Sequence, residues 1–303
     1  MQTTLKHLPP IRQLPPVTSD ESSVNAKVIG IESFSGIQET NYHKERLVSF
    51  LTHEMDVEKI YLLGTYPCFP EALGEEYDVL ILIGEQEHRP IDRLENLVHS
   101  RSCDIAPVFA SLFKITRINE MIAAGNSFFI NACRHENLMY DADRINAASP
   151  PGYYNRGMSG FFRNIHVSYM GHAKQFLQGA VSYYRAEEYP LACFMLHQAV
   201  EQGLSALLVP LMQFEVRTHN LSRLMRLARR FSIDVYQTFP RHMKRDVQRF
   251  YLLQKAYTNS RYNNAFGVTE SDTAILIEHS SLLLQKIKDA YEFITDGATP
   301  IAA

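Results

Sequence analysis

The stretch RINAASPPGYYNRGMSG, residues 144–160, separates two halves with different hydrophobic periods, and no single-layer fold accommodates both. It concentrates Pro, Gly and Ser without periodicity, as a connection does. Upstream, short apolar runs alternate with helical segments. YHKERLVSFLTHEM repeats Leu47, Phe50 and Leu51 at helical spacing, and EKIYLLG reads as a short strand. DVLILI is a buried strand, and PIDRLENLVHS sets Ile91, Leu94, Leu97 and Val98 on one helical face. SCDIAPVFA reads as a third strand, with Pro107 marking an edge or an early end. SLFKITRINEMIAAGN is expected to be a helix stopped by Gly125, and LMYDAD a last short strand.

Downstream the strands vanish. Apolar residues recur three and four apart over roughly 162–186, 190–213, 220–232, 241–261 and 271–295, the pattern of an α-bundle. The expected fold class is therefore α/β plus all-α. A mixed sheet with helices spans residues 41–145, a linker 146–160, and a helical bundle 161–296. The opening MQTTLKHLPPIRQLPPVTSDESS carries paired prolines and polar residues and predicts a mobile arm over residues 1–40. At 303 residues the chain has room for two such domains. No internal repeat is present.

Composition narrows the class. The chain is 46% hydrophobic and 21% charged with net charge −3, as in soluble globular proteins. Its apolar runs are too short to cross a bilayer, and no signal-peptide pattern opens it. The four cysteines lack CxxC or Cys/His spacing, which argues against a zinc site or disulfide framework. The expected location is cytoplasmic, with no membrane partner.

The near-neutral total hides an asymmetry. Tyr42 to Asp143 holds seventeen acidic and nine basic residues, whereas Arg217 to Arg261 holds eleven basic and two acidic. The basic segment suits a polyanion such as RNA, or else forms a solvated arginine-rich helix face.

The stretch GTYPCFPEALGEEYDVLILIG carries the candidate chemistry. Residues two apart on a strand share a face, so Glu76 and Asp78 point together while Tyr77 and Val79 point away. Carboxylates at the mouth of a buried strand need a cationic partner. Asp104 sits near the next expected strand, so three carboxylates could converge on a divalent cation, for which Mg2+ with its oxygen ligands is suited. Gly64 and Thr65 read as a turn through which backbone amides could approach phosphates.

The sequence IYLLGT, ten residues, then EYDVLIL resembles the minimal nucleotidyltransferase domain of the DNA polymerase β superfamily. That resemblance implies Gly64 and Thr65 at the nucleotide, and Glu76, Asp78 and Asp104 as catalytic metal ligands. It also implies Mg2+ as cofactor and ATP or another nucleoside triphosphate as substrate or ligand. The segment INEMIAAGNSFFINACRHENLMYD is similar to the end of members fused to a helical partner. Three positions depart from the pattern: Thr65 replaces Ser, Glu76 replaces Asp, and TYPCFPEAL carries no Lys or Arg. The departures leave open a transferase that keeps the fold without the chemistry.

In the helical half, FMLHQAVEQGLSALL is amphipathic, with Phe194, Ala199 and Leu204 facing inward and Gln198 and Glu201 on one flank. Thr218 or Asn220 is placed to cap the next helix. These stretches, with VRTHNLSRLMRLA and FYLLQKAYTNSRYNNAF, resemble the HEPN domain over about residues 162–296. The resemblance implies a nucleotide- or RNA-binding bundle and a homodimer formed around the penultimate helix. Active relatives cleave RNA through Arg, four to six residues, then His. Arg261 matches the arginine, but Phe266, Gly267 and Val268 stand where the histidine would fall. Arg261 either caps its helix or contacts phosphate, and His219 is the candidate for a substitute proton carrier. A non-enzymatic, antitoxin-like interaction module is the competing class.

Overall fold

The structure is a computed structural model that describes residues 34–68, 74–152, 160–262 and 267–296, with backbone alone for 34–41 and 260–262. The arm expected over residues 1–40 lies outside them up to Phe34. From Thr40 onward the chain forms one compact unit. No helix among the described residues is long and apolar enough to cross a membrane.

The first half runs α1 (Phe34–Glu54), β1 (Val57–Pro67), β2 (Glu75–Ile83), α2 (Ile91–Arg101), β3 (Val108–Lys114), α3 (Ile115–Ala123), α4 (Ser127–Ala132) and β4 (Leu138–Asp141). The strands form one mixed sheet in the order β3-β2-β1-β4. β1 runs antiparallel to β2 and to β4, while α2 carries the chain over to β3, parallel to β2. Val79 to Ile83 of β2 read as unbroken hydrocarbon because both faces of the strand are covered. Tyr77, Val79, Ile81 and Ile83 pack with Leu47 and Leu51 of α1 and Leu94 and Val98 of α2. On the opposite face Leu80 and Leu82 meet Ile115, Ile118 and Ile122 of α3 and Phe129 of α4. Glu76 and Asp78 continue that second face toward the strand's start.

Three local expectations are corrected. Gly64 and Thr65 are not a turn but mid-strand residues of β1, paired with Asp78 and Tyr77. The chain reverses later, where Cys68 N–H donates to the Gly74 carbonyl at 2.9 Å and Gly74 takes φ 72°, which favours glycine. Asp104 ends a 3-10 turn, Ser102–Asp104, and strand pairing starts only at Val108. Ser111 to Lys114, expected as helix, complete β3 because they pair with Leu80 to Ile83.

The second half is helical: α5 (Gly160–Arg185), α6 (Tyr189–Met212), α7 (Leu221–Arg229), α8 (Ile233–Tyr236), α9 (Lys244–Tyr262) and α10 (Glu270–Asp296). α6 is its axis, with Leu196, Val200, Leu204, Leu207 and Leu208 wholly buried. At Gly203 a Cβ would lie 2.3 Å from Leu284 Cδ2, so glycine permits the close approach of α10. The helix expected over 220–232 breaks at its end. Ser232 caps α8 by accepting from Val235 N–H, which leaves Arg229 and Arg230 at the C-terminus of α7.

Two histidines should make the bundle acid-sensitive. His166 Nδ1 donates to the Ala206 carbonyl at 2.8 Å, and its ring stacks on Tyr291 at 3.7 Å. Burial lowers its pKa below the ordinary 6.5, opposed by the Ala206 bond and Glu292 and assisted by Lys174. Burial also lowers His279, with Glu278 and Asp246 opposing and Arg249 assisting. The unfolded chain takes up these protons first, so stability is complete above the unfolded value of 6.5 and falls as pH drops below it. Urea midpoints should decline between about pH 6.5 and 5.5, before most carboxylates protonate. A flat profile there would contradict the burial of both rings.

Candidate functional site

α7 answers the question posed by the carboxylate strand. Leu221, Leu224, Met225 and Ala228 are buried toward the bundle. Arg223, Arg226, Arg229 and Arg230 recur three or four apart; Arg226, Arg229 and Arg230 reach β2 and Arg223 reaches α2. Arg229 Nη2 donates to Glu76 Oε2 at 2.7 Å, and Arg226 Nη2 lies 3.2 Å from Glu76 Oε1. Arg230 grips Asp78 with two bonds, Nε to Oδ2 at 2.8 Å and Nη2 to Oδ1 at 2.6 Å. The same Nη2 reaches Ser111 Oγ at 2.8 Å. Arg223 forms a further two-bond pair with Glu95 of α2. The rings of Tyr66 and Phe109 complete the joint: Arg229 lies 3.7 Å over Tyr66, with Arg226 and Arg230 over Phe109.

Asp78 is 0% exposed and the Arg230 side chain 5%. Two charges so far from water persist only with close geometry and further bonds, and both are present. Glu76 and Asp78 thus share a face as expected. Asp104 does not join them: it is exposed on the 3-10 turn. Among the described residues no three His, Cys, Asp or Glu side chains could hold a metal ion together. The donor set therefore does not fit Mg2+ in this arrangement, because guanidinium groups engage the oxygens it would need. Gly64 and Thr65 lie in the ladder with β2 rather than in a turn. Arg226, Arg229, Arg230 and Ser111 are the residues the sequence reading missed. Their signal was the arginine spacing on α7, read there only as bulk positive charge.

A second constellation lies in the bundle. His219, in the loop before α7, places Nδ1 3.1 Å from both Glu201 oxygens. A carboxylate only accepts, so Nδ1 carries the proton and Nε2 keeps the lone pair when the ring is neutral. The His219 ring stacks on Tyr257 of α9 with centroids 4.3 Å apart. Gln254 fixes the loop from the same helix: Nε2 donates to the His219 carbonyl, and Oε1 accepts from Leu221 N–H at 2.7 Å. Asn220 caps α7 as expected, accepting from Arg223 N–H, while Thr218 Oγ1 accepts from Asn220 N–H. Fully buried His197 donates Nδ1–H to the Leu253 carbonyl and brings Nε2 within 3.4 Å of Glu201. Burial alone would raise the Glu201 pKa. The neighbouring His197 and His219 outweigh it and hold the carboxyl below its usual range.

Arg261 follows Tyr257 by one turn of α9; its side chain lies outside the described residues, as does Phe266. Gly267 and Val268 are not helical, and Val268 is buried. The pieces quoted from three separate segments thus meet around Glu201 and the end of α9.

The fold is a mixed four-stranded sheet with helices joined to a helical bundle. Residues 167–290, from α5 to α10, match the family model of the HEPN domain. No match was found among curated proteins. The family match covers the bundle and not the sheet half.

Proposed function

We propose that this protein binds nucleotide or RNA through the face formed by His219, Tyr257 and the end of α9, and that it acts as a binding module rather than a transferase. The observation that carries this is the exposed His219 ring, aimed by Glu201 and stacked on Tyr257 one turn before Arg261. An aromatic face beside cationic groups suits a base and its phosphate. The reading takes Glu76 and Asp78 out of magnesium–ATP chemistry, since transfer would first require Arg226, Arg229 and Arg230 to withdraw. It is compatible with an antitoxin-like role.

A homodimer is part of the proposal. Met243, just before α9, and Val247 and Tyr251 within it are four apart and all exposed, which leaves an apolar stripe for a second copy.

The test is anisotropy of a labelled single-stranded RNA across a salt series, on samples whose mass is checked by light scattering. Affinity should fall as salt rises, because neutralised phosphates release counterions. His219→Ala and Arg261→Ala should each weaken binding about tenfold, similarly for different sequences. Salt-independent or absent binding would reject the reading. Metal-independent cleavage lost in His219→Ala would instead make the site a ribonuclease. A monomer at micromolar concentration would remove the dimer.

A further inference from the structure

Among the described residues next to the carboxylate joint, arginines outnumber carboxylates. Asp78 is taken by Arg230, leaving Glu76 between Arg226 and Arg229, while Arg241 packs on the same Tyr236 ring as Arg229. Arg229, with its side chain 1% exposed, bonds Glu76 through Nη2, while its Nε finds no hydrogen-bond partner among the described residues. Arg241 donates Nη1–H to the Tyr236 hydroxyl at 2.8 Å, and its buried Nη2 is likewise unpartnered. Both guanidiniums lie over the Tyr236 ring, Arg229 at 5.0 Å and Arg241 at 4.7 Å. Burial lowers the Arg241 pKa, and Arg226 and Arg229 lower it further, with Tyr236 and Glu76 opposing.

Buried N–H groups without acceptors are uncommon and costly, and buried cations in excess are costlier. Aromatic faces offset part of this, but a ring face supplies no acceptor for an in-plane N–H. Among the described residues, three guanidinium groups thus share one carboxylate and two N–H donors stand without acceptors, a setting that suits a compact dianion with several acceptor oxygens. Guanidinium forks match such an oxyanion geometrically. Arg226, whose side chain is 29% exposed, is the edge at which the cluster meets water.

We propose that Arg226, Arg229 and Arg241 form a binding site for a phosphate dianion, distinct from the His219 face. Bound there, the phosphate accepts from Arg229 Nε and Arg241 Nη2 and neutralises the excess charge. It also strengthens the joint between α7 and the sheet, because Arg226 and Arg229 hold Glu76 at the same time.

Thermal unfolding of the full chain in inorganic phosphate, against chloride at matched ionic strength, tests this. Phosphate should raise the wild-type Tm saturably, as a ligand specific to the folded state does. Arg241→Met, which keeps side-chain bulk, should lose most of that shift. Arg226→Gln, at the exposed edge, should weaken the apparent affinity about tenfold and serves if Arg241→Met does not fold. ATP and pyrophosphate without metal distinguish the source. ATP at least tenfold tighter than inorganic phosphate would identify a nucleotide's phosphate, and equal binding a free one. A phosphate shift no larger than that of chloride, or one equal in wild type and Arg226→Gln, would overturn the proposal.

Discussion

Replacing Asp78 with alanine should destabilise the protein by about 3–5 kcal/mol, the range for leaving one member of a buried ion pair without its partner. Arg230 would keep its charge inside the joint, with Ser111 Oγ as its remaining acceptor. Asp78→Asn should cost less, since one oxygen still accepts, although the charge is lost. Arg223→Ala should cost far less than either, because its side chain is 31% exposed and water can solvate the Glu95 it leaves. Urea unfolding of the four proteins checks the order. A loss below about 1 kcal/mol for Asp78→Ala would mean the pair behaves as a surface bridge.

Phe129→Ala should be similarly damaging, at about 3–5 kcal/mol, for an apolar reason. Phe129 is fully buried, and its ring meets Phe128 at 5.1 Å and Phe113 and Phe214 at 5.4 Å. Phe113 belongs to β3 and Phe214 follows α6, so one ring packs against both halves. Asn126 reinforces the contact: its side chain caps α4 and donates to the Met212 carbonyl at the end of α6. The halves share this aromatic cluster and the α7 joint, so the wild type should unfold in one transition. Two separated transitions, or a loss below about 1 kcal/mol in Phe129→Ala, would contradict a shared core.

The bundle was legible because each helix carries its own period. The ends of α5, α6 and α10 fall within two residues of expectation, and the buried run of β2 was equally plain. The failures lie where the deciding contact is distant in sequence. Ser111 to Lys114 adjoin a helical run, and their strand state depends on pairing with β2. Gly64–Thr65 looked like a turn because its strand partners, Asp78 and Tyr77, come a dozen or so residues later. The acids at 76 and 78 correctly demanded a cation. Their arginine partners lie about 150 residues away, and spacing along α7 shows that it has a charged face but not what that face meets. His219 and Glu201 were legible as motif residues, whereas the bond between them required the fold.

A double-mutant cycle on Asp78 and Arg230, run with and without magnesium, tests the central claim most directly. If the strand carboxylates hold α7 rather than a metal, Asp78→Ala and Arg230→Ala should be strongly non-additive, with a coupling of about 2–3 kcal/mol. Magnesium should leave the wild-type urea midpoint unchanged. Additive losses, together with an Asp78-dependent rise in that midpoint on adding magnesium, would show that the carboxylates are metal ligands and that the arginines do not secure the joint.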